Sequence, residues 1–168
     1  MPTDEVLLGL AERVGRHLLA ARRRLATAES CTGGWIAKVV TDVPGSSQWF
    51  EAGYVVYSNA AKVRDLGVSE QTLREHGAVS ESAVREMAIG AVRVSGAHVG
   101  VSVSGIAGPD GGTAEKPVGT VWFGLAVRRG EGIELVSKRE QFPGDRESVR
   151  RRTVEHALQL VVRELPPV

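Results

Sequence analysis

Apolar residues recur every third and fourth position through TDEVLLGLAERVGRHLLAARRR, and that spacing predicts an amphipathic helix capped by Asp4. The period then shortens. RLATAES reads as a short buried strand, and GGWIAKVVTDV as a helix closed at Pro44-Gly45. From Gln48 to Tyr57 the run QWFEAGYVVY is aromatic and β-branched, the composition of a strand. Asn59 is placed to cap a short helix, SEQTLREHG predicts another ended by Gly77, and Ser80 opens the longer ESAVREMAIGAVRVSG. AHVGVSVSG alternates as a strand does, and a loop dense in glycine and proline follows from Gly105 to Pro117. VGTVWFGLAV and IELVSKREQF predict neighbouring strands around the turn Arg129-Gly130-Glu131-Gly132, before a last helix from about Asp145 that ends ahead of Pro166.

Helices and strands alternate early and strands cluster late. That order predicts an α/β fold, a three-layer α/β/α sandwich on a mixed β-sheet. No repeat, linker or low-complexity segment interrupts the chain, so a single domain is expected over residues 1–168.

Composition narrows the function classes. Hydrophobic residues make up 42% and charged residues 24%, the balance of a soluble globular domain. The formal net charge of +1 argues against a general electrostatic attraction to nucleic acid or membrane. One cysteine and no secretory signal fit a reducing cytoplasm. No run approaches the length of a transmembrane span. Four scattered histidines and one cysteine show none of the usual ligand spacings, so no metal site is expected.

Four stretches carry candidate chemistry. In TAESCTGGW, Ser30 falls where a strand hands over to a helix, the edge at which open α/β sheets bind ligands. The first helix amides, around Cys31 to Gly34, suit a phosphate or an oxyanion, while the plainer alternative has Ser30 or Thr32 capping the helix. Cys31 reads better as a small buried residue than as a nucleophile. In YSNAAK, Lys62 falls in the first turn behind an Asn59 cap, where a cation is disfavoured and its pKa is lowered if it is desolvated. A neutral lysine can accept a serine proton, and the alternative is a solvated surface lysine. The loop SGIAGPDGGTAEKPVG, from Ser104 to Gly119, is longer than a connection between neighbouring strands requires, which suits a binding loop. In FPGDRESVRRR, Arg146 follows an Asp145 cap and suits a phosphate, but the plainer alternative, an exposed arginine among Arg150, Arg151 and Arg152 on a solvated basic face, is the stronger reading of this stretch by itself.

Taken jointly and in order, ATAESCTGG, VPGSS, YSNAAK, HGAVSE, GIAGPDGG, KPVGTVW and FPGDR resemble the CinA C-terminal domain family, the nicotinamide mononucleotide deamidases. The resemblance runs from about Ala26 to Arg146. It implies an α/β/α domain that hydrolyses the carboxamide of nicotinamide mononucleotide to nicotinate mononucleotide and ammonia, with no metal or organic cofactor. Some members carry this domain behind a larger pyrophosphatase domain, whose metal-dependent chemistry is not carried over here. By the same resemblance the nucleophilic serine falls on Ser30, its basic partner on Lys62 and a nearby tyrosine on Tyr57. Ser47 matches a polar position expected to line the pocket. The expected substrate-binding set is Cys31, Thr32, Gly33, Gly34, Ser47, Asn59, Ser104, Gly105, Gly108 and Arg146. Ser104 stands where the family usually has threonine, which keeps the hydroxyl and loses a methyl.

The expected mechanism has neutral Lys62 take the Ser30 proton as the oxygen attacks the carboxamide, with amides near Cys31 to Gly33 holding the oxyanion and Lys62 or Tyr57 returning a proton to ammonia. The expected partner is the small-molecule substrate, with no direct nucleic acid and no membrane, and the chain is expected as a homo-oligomer, a dimer in particular. The aromatic run at Trp49 and Phe50 suits a core better than a dimer contact. Two rivals remain: a non-catalytic nucleotide-binding or regulatory module linked to competence or DNA damage, and hydrolysis of a different pyridine or nucleotide amide.

Overall fold

In the computed structural model, which describes residues 1–165, five strands form one sheet in the order β2-β1-β3-β4-β5. They are β1 (Leu25–Glu29), β2 (Phe50–Val55), β3 (Val99–Gly105), β4 (Thr120–Arg129) and β5 (Gly132–Gln141). β1 runs parallel to both β2 and β3, whereas β4 runs antiparallel to β3 and β5. The helices are α1 (Asp4–Ala21), α2 (Trp35–Thr41), α3 (Asn59–Leu66), α4 (Glu70–His76), α5 (Glu81–Ser95) and α6 (Arg146–Glu164). α5 lies across one face of the sheet with α3 and α4 beside it, and α1, α2 and α6 cover the other. The fold is the mixed-sheet α/β/α sandwich that the alternation predicts.

Burial follows position in the sheet. Every residue of β1 is buried, and β3 is buried up to Ser104, because helices cover both of their faces. The edge strand β2 alternates between half-buried and exposed. β2 is also shorter than the aromatic run suggested. Gln48 belongs to a 3₁₀ turn (Ser46–Gln48), and Trp49 turns inward, 2% exposed, against α1. Only glycine admits it: a Cβ at Gly15 would lie 2.8 Å from the indole ring.

The caps shift by one residue in two places. Thr3, not Asp4, caps α1 through Val6 N, and Ser58, not Asn59, caps α3 through Ala61 N. In each case the hydroxyl sits three residues before the amide it serves, the spacing that N-cap geometry requires. Ser80 and Asp145 cap α5 and α6 as their positions predict.

The arginine run at α6 is not a solvated face. Arg150 and Arg151 lie over the Trp35 ring at 5.3 and 4.9 Å, and Arg151 pairs with Asp4 and Glu147. α6 packs against α1 and α2, so this side of it faces protein. Among the described residues no helix is long and apolar enough to cross a membrane. The domain's last three residues, Pro166 onward, lie outside the described residues.

Three parallel strands bring three carboxyl ends to one edge. The chain leaves β1 for one face through α2 and leaves β2 for the other face through α3, so the connecting segments part above that edge. Such a parting leaves a crevice.

Candidate active site

Ser30 extends β1 by one residue, its N–H donating to Val103 O at 3.1 Å. The chain then folds tightly, with Gly33 N donating to Ser30 O at 3.1 Å and Trp35 N to Thr32 O at 3.2 Å. Gly33 and Gly34 have φ of +61° and +99°, left-handed values that side chains resist. The glycine pair therefore makes the turn. Neither glycine lines the cleft.

A residue absent from the expected set holds this turn from within. The Glu29 carboxylate is wholly buried and accepts from Thr32 Oγ1 at 2.5 Å, Ile36 N at 2.8 Å and Ala37 N at 3.0 Å. It takes the place of an N-cap for α2, whose cap residue Gly34 has no side chain to offer. Burial pushes the Glu29 pKa up, and the hydrogen bonds from Thr32 and the α2 amides oppose that rise. Neither Ser30 nor Thr32 caps the helix. The helix amides are not an anion site either, because Glu29 already occupies them. Of the turn's residues beyond Ser30, only Cys31 reaches the cleft, and its N–H has no acceptor among the described residues.

The Cys31 thiol is pushed up to about 12, first by burial and then by the Glu29 charge. It stays protonated and is no nucleophile.

Lys62 is the fourth helical residue of α3, and its side chain turns beneath the helix until it is 1% exposed. Its Nζ lies 3.0 Å from each of Ser30 Oγ, Val56 O and Tyr57 O. Desolvation lowers its pKa, and the one opposing charge would be a Cys31 thiolate, which does not form. The stereochemistry follows. In the structure Nζ donates to all three oxygens and Ser30 Oγ donates to Tyr57 O at 3.5 Å; once the amine loses a proton, the two carbonyls, which can only accept, keep its two hydrogens and its lone pair falls to Ser30 Oγ. A serine hydroxyl thus meets a base with no imidazole present.

Around this pair lies a cleft of about 280 Å³. Ser30, Cys31, Tyr57, Asn59, Lys62, Ser104, Gly105, Gly108 and Arg146 line it, as expected, and so do Ala78, Val79, Ile106, Ala107, Asp110 and Gly111, which were not. Tyr57 touches Lys62 through its carbonyl, while its phenol, 3.4 Å from Arg146 Nη2, belongs to a side chain 62% exposed. Arg146 Nη1 also donates to Gly108 O at 2.7 Å, tying the glycine loop to the start of α6. Ser104 is 1% exposed at the end of β3.

Four expected positions lie elsewhere. Thr32, Gly33 and Gly34 face Glu29 or shape the turn behind the cleft. Ser47 is exposed in the 3₁₀ turn, where its carbonyl accepts from Arg24 just before β1, so it stands at the opposite end of that strand from Ser30. The signal for Glu29 was present in the sequence: one acid in a strand of otherwise small and apolar residues.

Comparison with known proteins places the chain in a family. The profile of the CinA C-terminal domain family matches residues 8–165. A protein of Escherichia coli (strain K12) named Nicotinamide-nucleotide amidohydrolase PncC is 59% identical over 157 residues, covering 94% of this chain and 93% of that protein. A Pseudomonas putida protein of the same name is 56% identical over 149 residues, covering 89% and 91%. The crystal structure of the competence/damage inducible protein CihA from Agrobacterium tumefaciens superposes with a TM-score of 0.90 at 39% identity, covering 97% of this chain and 96% of that one.

Proposed function

The chain belongs to the CinA C-terminal domain family, and on that premise we propose that it is a nicotinamide-nucleotide amidohydrolase, converting nicotinamide mononucleotide to nicotinate mononucleotide and ammonia. The observation that carries the chemistry is the Ser30–Lys62 contact at 3.0 Å, with Nζ also donating to the Val56 and Tyr57 carbonyls, which would keep the two hydrogens of a deprotonated amine.

Ser30 Oγ attacks the carboxamide carbon as its proton passes to Lys62 Nζ. The carbonyl oxygen becomes an oxyanion, which the unpaired Cys31 N–H, on the residue after the nucleophile, stabilises. As the oxyanion collapses the C–N bond breaks, and the Lys62 proton goes to the nitrogen, which leaves as ammonia. A water then attacks the acyl carbon, Lys62 accepts its proton, and Ser30 Oγ recovers a proton as nicotinate mononucleotide departs. Tyr57 has no proton to move in this scheme; its phenol and Arg146 stand at the mouth, where Arg146 suits the substrate phosphate. Ala78, Val79, Ile106 and Ala107 supply the apolar surface that a pyridine ring needs. We assign the enzyme to the cytoplasm, acting on the free nucleotide rather than on nucleic acid, and as a homodimer whose mass sedimentation would read.

Incubation with nicotinamide mononucleotide, nicotinamide and NAD, followed by ammonia measurement, tests the reading. Release from the mononucleotide alone is expected. Release only from another amide moves the substrate, and binding without any release makes the domain a nucleotide-binding module.

A further inference from the structure

Arg150 lies outside the cleft, on α6, yet it is joined to the oxyanion donor by an unbroken line of hydrogen bonds. Its Nη2 donates to Thr32 O at 3.2 Å and its Nε to Cys31 O at 3.1 Å. The Thr32–Gly33 peptide that accepts from Nη2 carries at its other end the Gly33 N–H, which donates to Ser30 O at 3.1 Å. The Ser30–Cys31 peptide that accepts there carries at its other end the N–H of Cys31, a residue that lines the cleft and whose N–H donates to no other residue among those described. C=O and N–H of a trans peptide point in opposite directions, so the two peptide dipoles lie head to tail between a permanent cation and the place where negative charge develops.

We propose that Arg150 is a positioning residue for the oxyanion hole: its guanidinium fixes and polarises the two-peptide relay that ends at Cys31 N–H. This rests on the acyl-transfer reading above and extends it to a side chain that never meets the substrate. Hydrogen bonds in a chain strengthen one another, and in a buried turn the field of the cation is weakly screened. The Trp35 ring, 5.3 Å from the guanidinium carbon, fixes the arginine in place, and Glu29 holds the turn from its inner side. Lysine cannot substitute fully, because a single ammonium lacks the planar fork that serves Cys31 O and Thr32 O together.

The test compares wild type with Arg150→Met and Arg150→Lys. Loss of a direct oxyanion donor lowers turnover by about 10²–10³-fold; a weakened donor predicts a smaller loss, about 10-fold or somewhat more, for Arg150→Met. KM and the acid limb of the pH profile are expected to stay in place, because the Ser30–Lys62 contact is not part of the relay, and Arg150→Lys is expected to recover part of the rate. Should Arg150→Met fail to fold, the same three readings are taken on Arg150→Gln. Turnover equal to wild type overturns the proposal. So does a loss accompanied by a displaced acid limb, since that would show the turn itself had moved. Running the series on p-nitrophenyl acetate as well separates the two readings. Failure on nicotinamide mononucleotide alone counts against the substrate, and equal ester rates in wild type and Arg150→Met count against the relay.

Discussion

Two helices begin at the cleft, α2 behind Ser30 and α3 in front of it, and their first turns are finished in opposite ways. α3 uses the ordinary device, a Ser58 hydroxyl on Ala61 N, and so its fourth residue, Lys62, is free to turn inward. α2 has no such residue, and a buried carboxylate from the preceding strand accepts from its amides instead. The contrast shows why a helix N-terminus beside a pocket is not in itself an anion site: at α2 the buried Glu29 already engages the Ile36 and Ala37 amides, and at α3 Ser58 engages that of Ala61. The proposed chemistry uses a lysine amine from one helix start and a backbone N–H from the turn before the other.

The sharpest break in that contrast is on the α3 side. Ser30→Ala should reduce ammonia release to background while far-ultraviolet circular dichroism stays unchanged. Lys62→Met removes the base and should lower kcat by about 10²–10⁴-fold in a steady-state assay. The same variant has a second signature. The lowered pKa of Lys62 means that, between that value and the ordinary 10.5, the unfolded chain binds a proton that the folded chain has released. Wild-type stability therefore rises with pH across that window. Thermal unfolding at a series of pH values should show Lys62→Met gaining most over wild type below the window and losing that advantage as pH approaches 10.5.

On the α2 side, Glu29→Gln places an amide NH₂ among three donors. It should destabilise the fold by about 1–3 kcal/mol, read from the urea midpoint. Ser58→Ala removes an ordinary cap and should be milder, about 1 kcal/mol by the same measurement. If Ser58→Ala proved the more damaging, the two helix starts would not differ as described.

Much of this was legible in the chain. Period changes placed all five strands and six helices of the described residues, since each is long or bounded by glycine, proline or a cap. Ser30 and Lys62 were legible by chemistry, a hydroxyl at a strand end and a cation at the wrong end of a helix. Their meeting was not, because it depends on β2 pairing beside β1 and on the Val56 and Tyr57 carbonyls turning toward Nζ. Gly33 and Gly34 were expected at the cleft and sit in the turn behind it, because a left-handed turn and a ligand's close approach call for the same residue. Ser47 was misplaced because a short motif says nothing about which end of a strand it reaches. Arg150 was hidden by its neighbours: three consecutive arginines look solvated until the packing of α6 against α2 places Arg150 and Arg151 over Trp35.

The claim beneath all of this is that the amine at position 62 is uncharged where the enzyme works. Nitrogen-15 NMR of the Lys62 Nζ, followed through a pH titration of the intact protein, measures that directly. The account predicts a midpoint below 10.5, matching the acid limb of kcat/KM. A midpoint at or above 10.5 would leave an ammonium that merely hydrogen-bonds Ser30, and would contradict it.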